Sequence, residues 1–188
     1  MSDWLGEPLP DLLTEEAGER LLGAWLLAFG PGTELDLKWW TGWPVTKVRK
    51  TLESIGAIQV SLEASTAYLH PDDNEPVDTP EPWVAFLPGL DPTTMGWKVR
   101  GWYLGDLAGD LFDGNGNAGP TVWADGRVVG GWAQRSDGEV VYELMTDVGS
   151  EAGKEIARQA AELGAWLGGT RVTPRFKTPH VVRLAADD

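Results

Sequence analysis

The stretch LLAFGPGTELDLKWWTGWPVTKVRKTL, Leu26 to Leu52, carries its own punctuation. Gly30-Pro31-Gly32 ends one helix, because proline lacks the N–H and glycine leaves the helical region easily. Thr33 follows as an N-cap, with Glu34 and Asp36 in the next first turn, where negative charge suits the helix dipole. Thr41-Gly42 stops that short helix at about Trp40. Pro44 fits the first position of a third helix, whose apolar face is Val45, Val48, Leu52 and Ile55 and which Gly56 closes. Upstream, Leu21, Leu22, Trp25, Leu26 and Phe29 recur at helical spacing and predict a helix over 15–29. Downstream, Ala57 to Leu62 and Thr66 to Leu69 read as two strands joined at Glu63-Ala64-Ser65. Three helices and a hairpin, in that order, predict a winged helix-turn-helix over residues 1–70.

Further along, residues 71–82 hold five acids and several prolines and read as an acidic, Pro-rich linker. A second unit, 83–188, opens with a strand from Trp83 to Leu87. The segment 91–113 gives no clear period. Asp125-Gly126 and Asp137-Gly138 then lie between β-branched and aromatic runs, which is a strong hairpin signal, so Thr121 to Leu144 is expected to be a three-stranded meander. Ser150 is placed to cap a helix running to Leu167, with Ile156, Ala160, Leu163 and Leu167 on its buried face. A last strand, Thr170 to Phe176, and a loose tail complete the reading. The expected fold class is α+β: a winged helix-turn-helix followed by a small antiparallel β-barrel-like sheet with one long C-terminal helix.

Composition narrows the chemistry. There is no cysteine, so disulfides, thiolate nucleophiles and cysteine zinc sites are excluded, and a cytoplasmic protein is expected. No apolar run is long enough to span a membrane, and the acidic start with Pro8 and Pro10 does not read as a signal peptide. The 11 tryptophans are expected mainly in cores, with ligand stacking a minority role. His70 and His180 are far apart and no serine is set in a triad. Asp113-Gly114-Asn115-Gly116-Asn117 resembles the start of a calcium loop. It has alanine, Ala118 and Ala124, where that loop needs glycine and glutamate. No catalytic residue, cofactor or metal site is expected. The formal charge of −14 repels phosphate backbones unless cations are gathered on one face. One such gathering is on the third helix: Lys47 and Lys50 lie opposite its apolar face with Thr46 and Ser54, and Arg49 sits on the flank. No acid occurs from Lys38 to Lys50, so this surface is the first candidate for double-stranded DNA. Arg171 and Arg175, with Lys177 and Arg183 beyond them, form a second basic stretch. Arg127, at a hairpin tip, is a possible groove probe.

Residues 26–52 resemble part of the AlkZ/YcaQ-like family of winged-helix DNA-binding proteins and DNA glycosylases. So do PWVAFLPGLDPTTMGWKVRGWYL, Pro82 to Leu104, and GPTVWADGRVVGGWAQR, Gly119 to Arg135. The likeness runs from about Trp4 to Phe176. It implies a DNA partner and a link to repair, since the family's enzymes excise alkylated bases and unhook interstrand crosslinks. It also implies that this chain corresponds to the C-terminal half of a protein about twice as long, with one winged helix and the barrel. The family's catalytic Gln-hydrophobic-Gln or Gln-hydrophobic-Asp motif lies in the other half. Here Gln59-Val60-Ser61 and Gln134-Arg135-Ser136 both fail to match it, so no catalytic residue carries over. The chain is either part of a longer enzyme, with a missing N-terminal half as partner, or a short non-catalytic relative. A protein-interaction or scaffolding winged helix, with a protein partner in place of DNA, is the alternative.

Overall fold

The computed structural model describes residues 11–62 and 65–186. The acidic start, apart from Asp11, and the Glu63-Ala64 part of the hairpin connection lie outside them. The chain divides into two compact units, Met1–Val77 and Asp78–Asp188.

The first unit contains α1 (Thr14–Phe29), β1 (Gly32–Thr33), α2 (Glu34–Thr41), α3 (Val45–Ser54), β2 (Ile58–Leu62) and β3 (Ser65–Leu69). Leu22, Trp25 and Leu26 of α1 meet Leu37, Val48, Leu52 and Ala67 in its core. Thr33 opens α2 with a capping box: its N–H donates to the Asp36 carboxylate at 3.0 Å, and its hydroxyl oxygen accepts the Asp36 N–H at 3.2 Å. Such a cap contributes about 1 kcal/mol. Gly42, at φ 70°, ends α2 in the left-handed region. Pro44 sits one place earlier than expected, as the N-cap of α3, where its carbonyl accepts the N–H groups of Lys47 and Val48. The hairpin pairs Ile58 with Leu69 through Leu62 with Ser65, and β1 adds to its far side through Gly32↔Tyr68 and Thr33↔Ala67. The sheet order is therefore β1-β3-β2.

The second unit contains β4 (Val84–Leu87), α4 (Pro92–Met95), α5 (Gly101–Leu104), α6 (Ala108–Leu111), β5 (Thr121–Ala124), β6 (Arg127–Gln134), β7 (Val140–Leu144), α7 (Gly149–Leu167) and α8 (Pro179–Leu184). The strands form one antiparallel sheet in the order β4-β5-β6-β7. The Asp125-Gly126 turn has φ 47° and 79°, the double left-handed geometry that matches strand twist. The sheet is open: the expected barrel does not form. A barrel turns one face of its strands inward and leaves the other outside. Here both faces are covered. Val84, Phe86, Val122, Ala124 and Trp132 pack with Ile156 and Leu163 of α7. Ala85, Leu87, Trp123 and Val128 pack with Tyr103, Leu104 and Leu111 of the short helices. All of β5 and six consecutive residues of β6 are consequently buried.

The β5–β6 register shifts between Val122↔Gly130 and Trp123↔Val128, so Val129 is an extra residue in β6. A β-bulge turns neighbouring positions to the same side. That brings position 130 against β7, where a Cβ would lie 2.0 Å from the Glu143 carbonyl oxygen, and only glycine fits.

Three further expectations are corrected. Residues 170–176 form no strand. The Gln134 carboxamide takes the place of a neighbouring strand, accepting the Val172 N–H and donating to the Thr170 carbonyl, and Pro174 can add nothing to a ladder. The described part of the tail is not loose: it carries α8, which buries His180 and Val181. Tryptophan is not mainly a core residue here. Among the described residues only Trp25, Trp123 and Trp132 are buried, while Trp39, Trp40, Trp83, Trp102 and Trp166 are exposed. Trp39, Trp40 and Trp83 keep one face on the protein and leave the other in water, while Trp166, 81% exposed, stands mostly in solvent.

Candidate nucleic-acid interface

α3 buries Val48, Thr51 and Leu52 against the first unit and turns its polar side outward. The Lys47 ammonium lies 3.9 Å from the centroid of the Trp43 ring, a cation–π contact that holds the side chain along the helix. Lys50 and Arg49 are exposed. Lys47, Lys50, Thr46 and Ser54 border a shallow groove of about 470 Å³ whose opposite wall includes Glu15 and Glu19 of α1. The sequence brings these elements together through one stripe. Glu15 and Glu19 continue the line of Leu22 and Leu26 along α1 toward its N-terminus.

The two glutamates are partners to α3. Lys50 Nζ donates to Glu15 at 2.6 Å, and the Ser54 hydroxyl donates to Glu19. Arg49 makes a fork on Glu34 of α2, with Nε at 2.9 and 3.0 Å and Nη2 at 2.8 Å. The Tyr68 hydroxyl donates to the same carboxylate at 3.3 Å. The Lys50 ammonium holds Glu15 below the ordinary carboxylate range, and the Arg49 guanidinium does the same for Glu34. Reciprocally, Glu15 raises Lys50 and Glu34 raises Arg49, so all four groups are charged at neutral pH. Local sequence could not show this pairing, since Glu15 lies 35 residues from Lys50 and Glu34 lies 15 from Arg49.

These pairs differ in how readily a phosphate could replace the carboxylate. Exposed ion pairs contribute at most about 1 kcal/mol and are screened by salt. Lys50 can therefore exchange one anion for another at little cost. Arg49 is fixed bidentately, a geometry that phosphate would have to match in full.

The other basic candidates lie in the second unit. Arg127 follows the Asp125-Gly126 turn, exposed and without a carboxylate partner among the described residues. Arg171 donates to the carbonyls of Ser136, Asp137, Gly168 and Thr170, fastening the Asp137-Gly138 turn to the end of α7. Arg175 stands beside the Phe176 ring, 5.8 Å from its centroid. Arg171 and Arg175 share no strand face, because there is no strand.

Gln59 lies in β2, and the carboxamide of Gln134 is occupied by Gly138, Thr170 and Val172. Asp113 closes its own loop by accepting the Asn115 and Asn117 N–H groups and the Asn117 side-chain amide. Among the described residues no three His, Asp or Glu side chains gather as metal ligands, and no helix is long and apolar enough to cross a membrane.

No curated protein matches the chain by sequence. Among solved structures, the Streptomyces sahachiroi DNA glycosylase AlkZ is similar, with a TM-score of 0.68 and 24% identity over 90% of this chain. The likeness covers 47% of that protein, so this chain spans about half its length. At that identity the likeness speaks for the fold. The sequence model of the AlkZ-like DNA glycosylases matches residues 1–166, most of the chain. The chain belongs to the AlkZ-like DNA glycosylase family.

Proposed function

We propose that this chain is a DNA-binding module of an AlkZ-like glycosylase or of a relative, with the first unit acting as a winged helix and α3 as its recognition helix. The observation that carries the reading is the groove beside α3. It sets Lys47 and Lys50, with the Thr46 hydroxyl, along one outward helix side in a family named for DNA glycosylases. Hydroxyls and cations on one face are the donors that phosphates take. Arg127 and Arg175 are proposed as separate contacts from the second unit. Arg49 and Arg171 act by holding Glu34 and the Asp137-Gly138 turn in place. No residue of this chain is assigned to bond cleavage, and a partner carrying the family's Gln-containing motif would supply it.

The test is fluorescence anisotropy with a labelled duplex over a series of salt concentrations. Two phosphates on α3 contribute roughly 1.8 to the slope of log affinity against log salt. The double variant Lys47→Gln/Lys50→Gln loses that part of the slope. Absence of binding by the wild type at low salt rejects the reading.

A second reading, a protein-interaction module without a nucleic-acid role, draws on the internal pairing of Arg49 and Lys50 with glutamates and on the net charge of −14. It requires that the same double variant leave duplex binding unchanged.

A further inference from the structure

The chain has three asparagines, Asn74, Asn115 and Asn117, and only Asn115 precedes a glycine. An asparagine loses its side-chain amide when the main-chain nitrogen of the next residue attacks its carboxamide carbon. Glycine in that next place has no Cβ to hinder the approach and the widest choice of backbone angles. Asn74 precedes Glu75 and Asn117 precedes Ala118, whose side chains obstruct the same attack, and Ala118 is buried as well.

The structure sets the Asn115-Gly116 pair in a turn that both offers and restrains it. Asn115 is exposed, and its carboxamide has no hydrogen-bond partner among the described residues. The main chain around it is held by Asp113. One Asp113 carboxylate oxygen accepts the N–H of Asn115 at 2.9 Å and that of Asn117 at 2.8 Å, while the other accepts the Asn117 side-chain amide at 2.8 Å. The Asp113 carbonyl accepts the Gly116 N–H at 3.0 Å, and the Asp113 N–H donates to the Asn117 carbonyl, also at 3.0 Å. The Gly116 nitrogen has to give up its proton before it can attack. Its bond to the Asp113 carbonyl keeps that proton in place for as long as the turn stays closed.

The Asp-Gly pairs at Asp113, Asp125 and Asp137 could form the same ring, but an ionised carboxylate lacks a good leaving group. At Asp113 the Asn117 side-chain amide holds the carboxyl below its ordinary range, which keeps it ionised at neutral pH.

We propose that Asn115 is a site of spontaneous deamidation whose rate is set by opening of the Asp113 turn. In the open turn the Gly116 nitrogen loses its proton to water and bonds to the Asn115 Cγ. The Cγ–Nδ2 bond breaks, and the nitrogen leaves as ammonia after taking a proton from water. Water then opens the five-membered imide at one of its two carbonyls, giving aspartate or isoaspartate, with no change of oxidation state. Either product adds a negative charge next to Asp113. Isoaspartate also lengthens the main chain by one methylene, which moves the Gly116 N–H away from the Asp113 carbonyl, so the turn does not reclose as before. The inference is independent of the DNA-binding reading.

The experiment incubates the full chain at mildly alkaline pH, folded and in guanidinium chloride, and follows each asparagine by peptide mass spectrometry. Exchange of the Gly116 amide is measured by NMR on the folded chain. Conversion is expected first at Asn115, slower in the folded chain, and slowed by the same factor as Gly116 amide exchange. Asp113→Ala speeds conversion in the folded chain at least about fivefold, the factor that one net hydrogen bond sets, and leaves Asn74 unchanged. Asp113→Ser keeps an acceptor oxygen and falls between the two. Asn115→Gln, which would need a larger ring, abolishes the reaction at this position. Earlier conversion at Asn74 or Asn117, equal rates in folded and unfolded chain, or a slowing that does not follow Gly116 exchange overturns the proposal. So does an unchanged rate in folded Asp113→Ala. Where that variant does not fold, the exchange comparison on the wild type decides.

Discussion

Removing a negative charge that guards Lys50 tests the α3 reading from an unexpected side, because it predicts a gain. Glu15 accepts from Lys50 at 2.6 Å, and both side chains are largely exposed. An incoming phosphate has to share that ammonium with the carboxylate or displace it. An exposed pair of this kind is weak and is screened by salt. A phosphate placed about 6 Å from the Glu15 carboxylate also meets a repulsion that physiological salt roughly halves. Glu15→Gln removes both effects, for roughly two- to ninefold tighter duplex binding at low salt. The gain is largest at low salt. Anisotropy titrations of wild type, Glu15→Gln, Lys50→Gln and the double variant close a cycle. In Lys50→Gln the Glu15 change should keep only the repulsive part of its effect. If Glu15→Gln binds no more tightly than wild type at low salt, Lys50 does not contact phosphate and α3 is not the interface.

Gly130→Ala and Gly153→Ala should have opposite signs. The first drives a Cβ into the Glu143 carbonyl and parts β6 from β7, costing about 2–4 kcal/mol; the second fills open space inside α7 and stabilises by about 0.5–1 kcal/mol. Urea unfolding reads both, and a neutral Gly130→Ala would refute the packing described at the bulge. Burial pushes His180 below its ordinary 6.5, while the carbonyls of Asp110 and Pro120 at its ring nitrogens partly oppose this. The unfolded chain thus binds a proton that the folded one refuses. Stability is full above about pH 6.5 and falls as pH drops below it, by at most about 1.4 kcal/mol per unit. Urea midpoints that are flat from pH 6.5 to 5.5, or equally sloped in a folded His180→Gln variant, would contradict this. Arg171→Met should lower the melting temperature by loosening the Asp137-Gly138 turn and leave the salt slope of DNA binding intact; a slope reduced by about 0.9 would instead make Arg171 a phosphate ligand.

Much of the first unit can be read from residues whose conformational limits are strict. The Thr33 cap, the Gly42 stop, Pro44 and Gly56 mark helix ends to within about one residue. Asp125-Gly126 marks the β5–β6 turn for the same reason, since few residues take that geometry. The segment 91–113 resisted because it folds as three helices of four residues each, too short to show a helical period. Arg171-Val172-Thr173 alternates like a strand, yet its backbone is met by a side chain, Gln134, 38 residues earlier, and no pattern of hydrophobicity reports that. The candidate interface was half legible. The cations of α3 follow from helical spacing, but their carboxylate partners depend on how α1 and α2 lie against α3. The barrel expectation failed because strands covered on both sides by helices and strands closed into a ring have similar apolar content.

That double covering of the sheet separates two jobs in the second unit. Strands β5 and β6 supply stiffness and almost no surface, so what a visiting molecule meets is mainly helix ends, turns and the outer edges of the sheet. Substitutions at the exposed residues Arg127, Arg175 or Lys177 should accordingly change the surface without disturbing the framework beneath. The reverse does not hold, because a single added methyl group at Gly130 reaches the main chain of the adjacent strand.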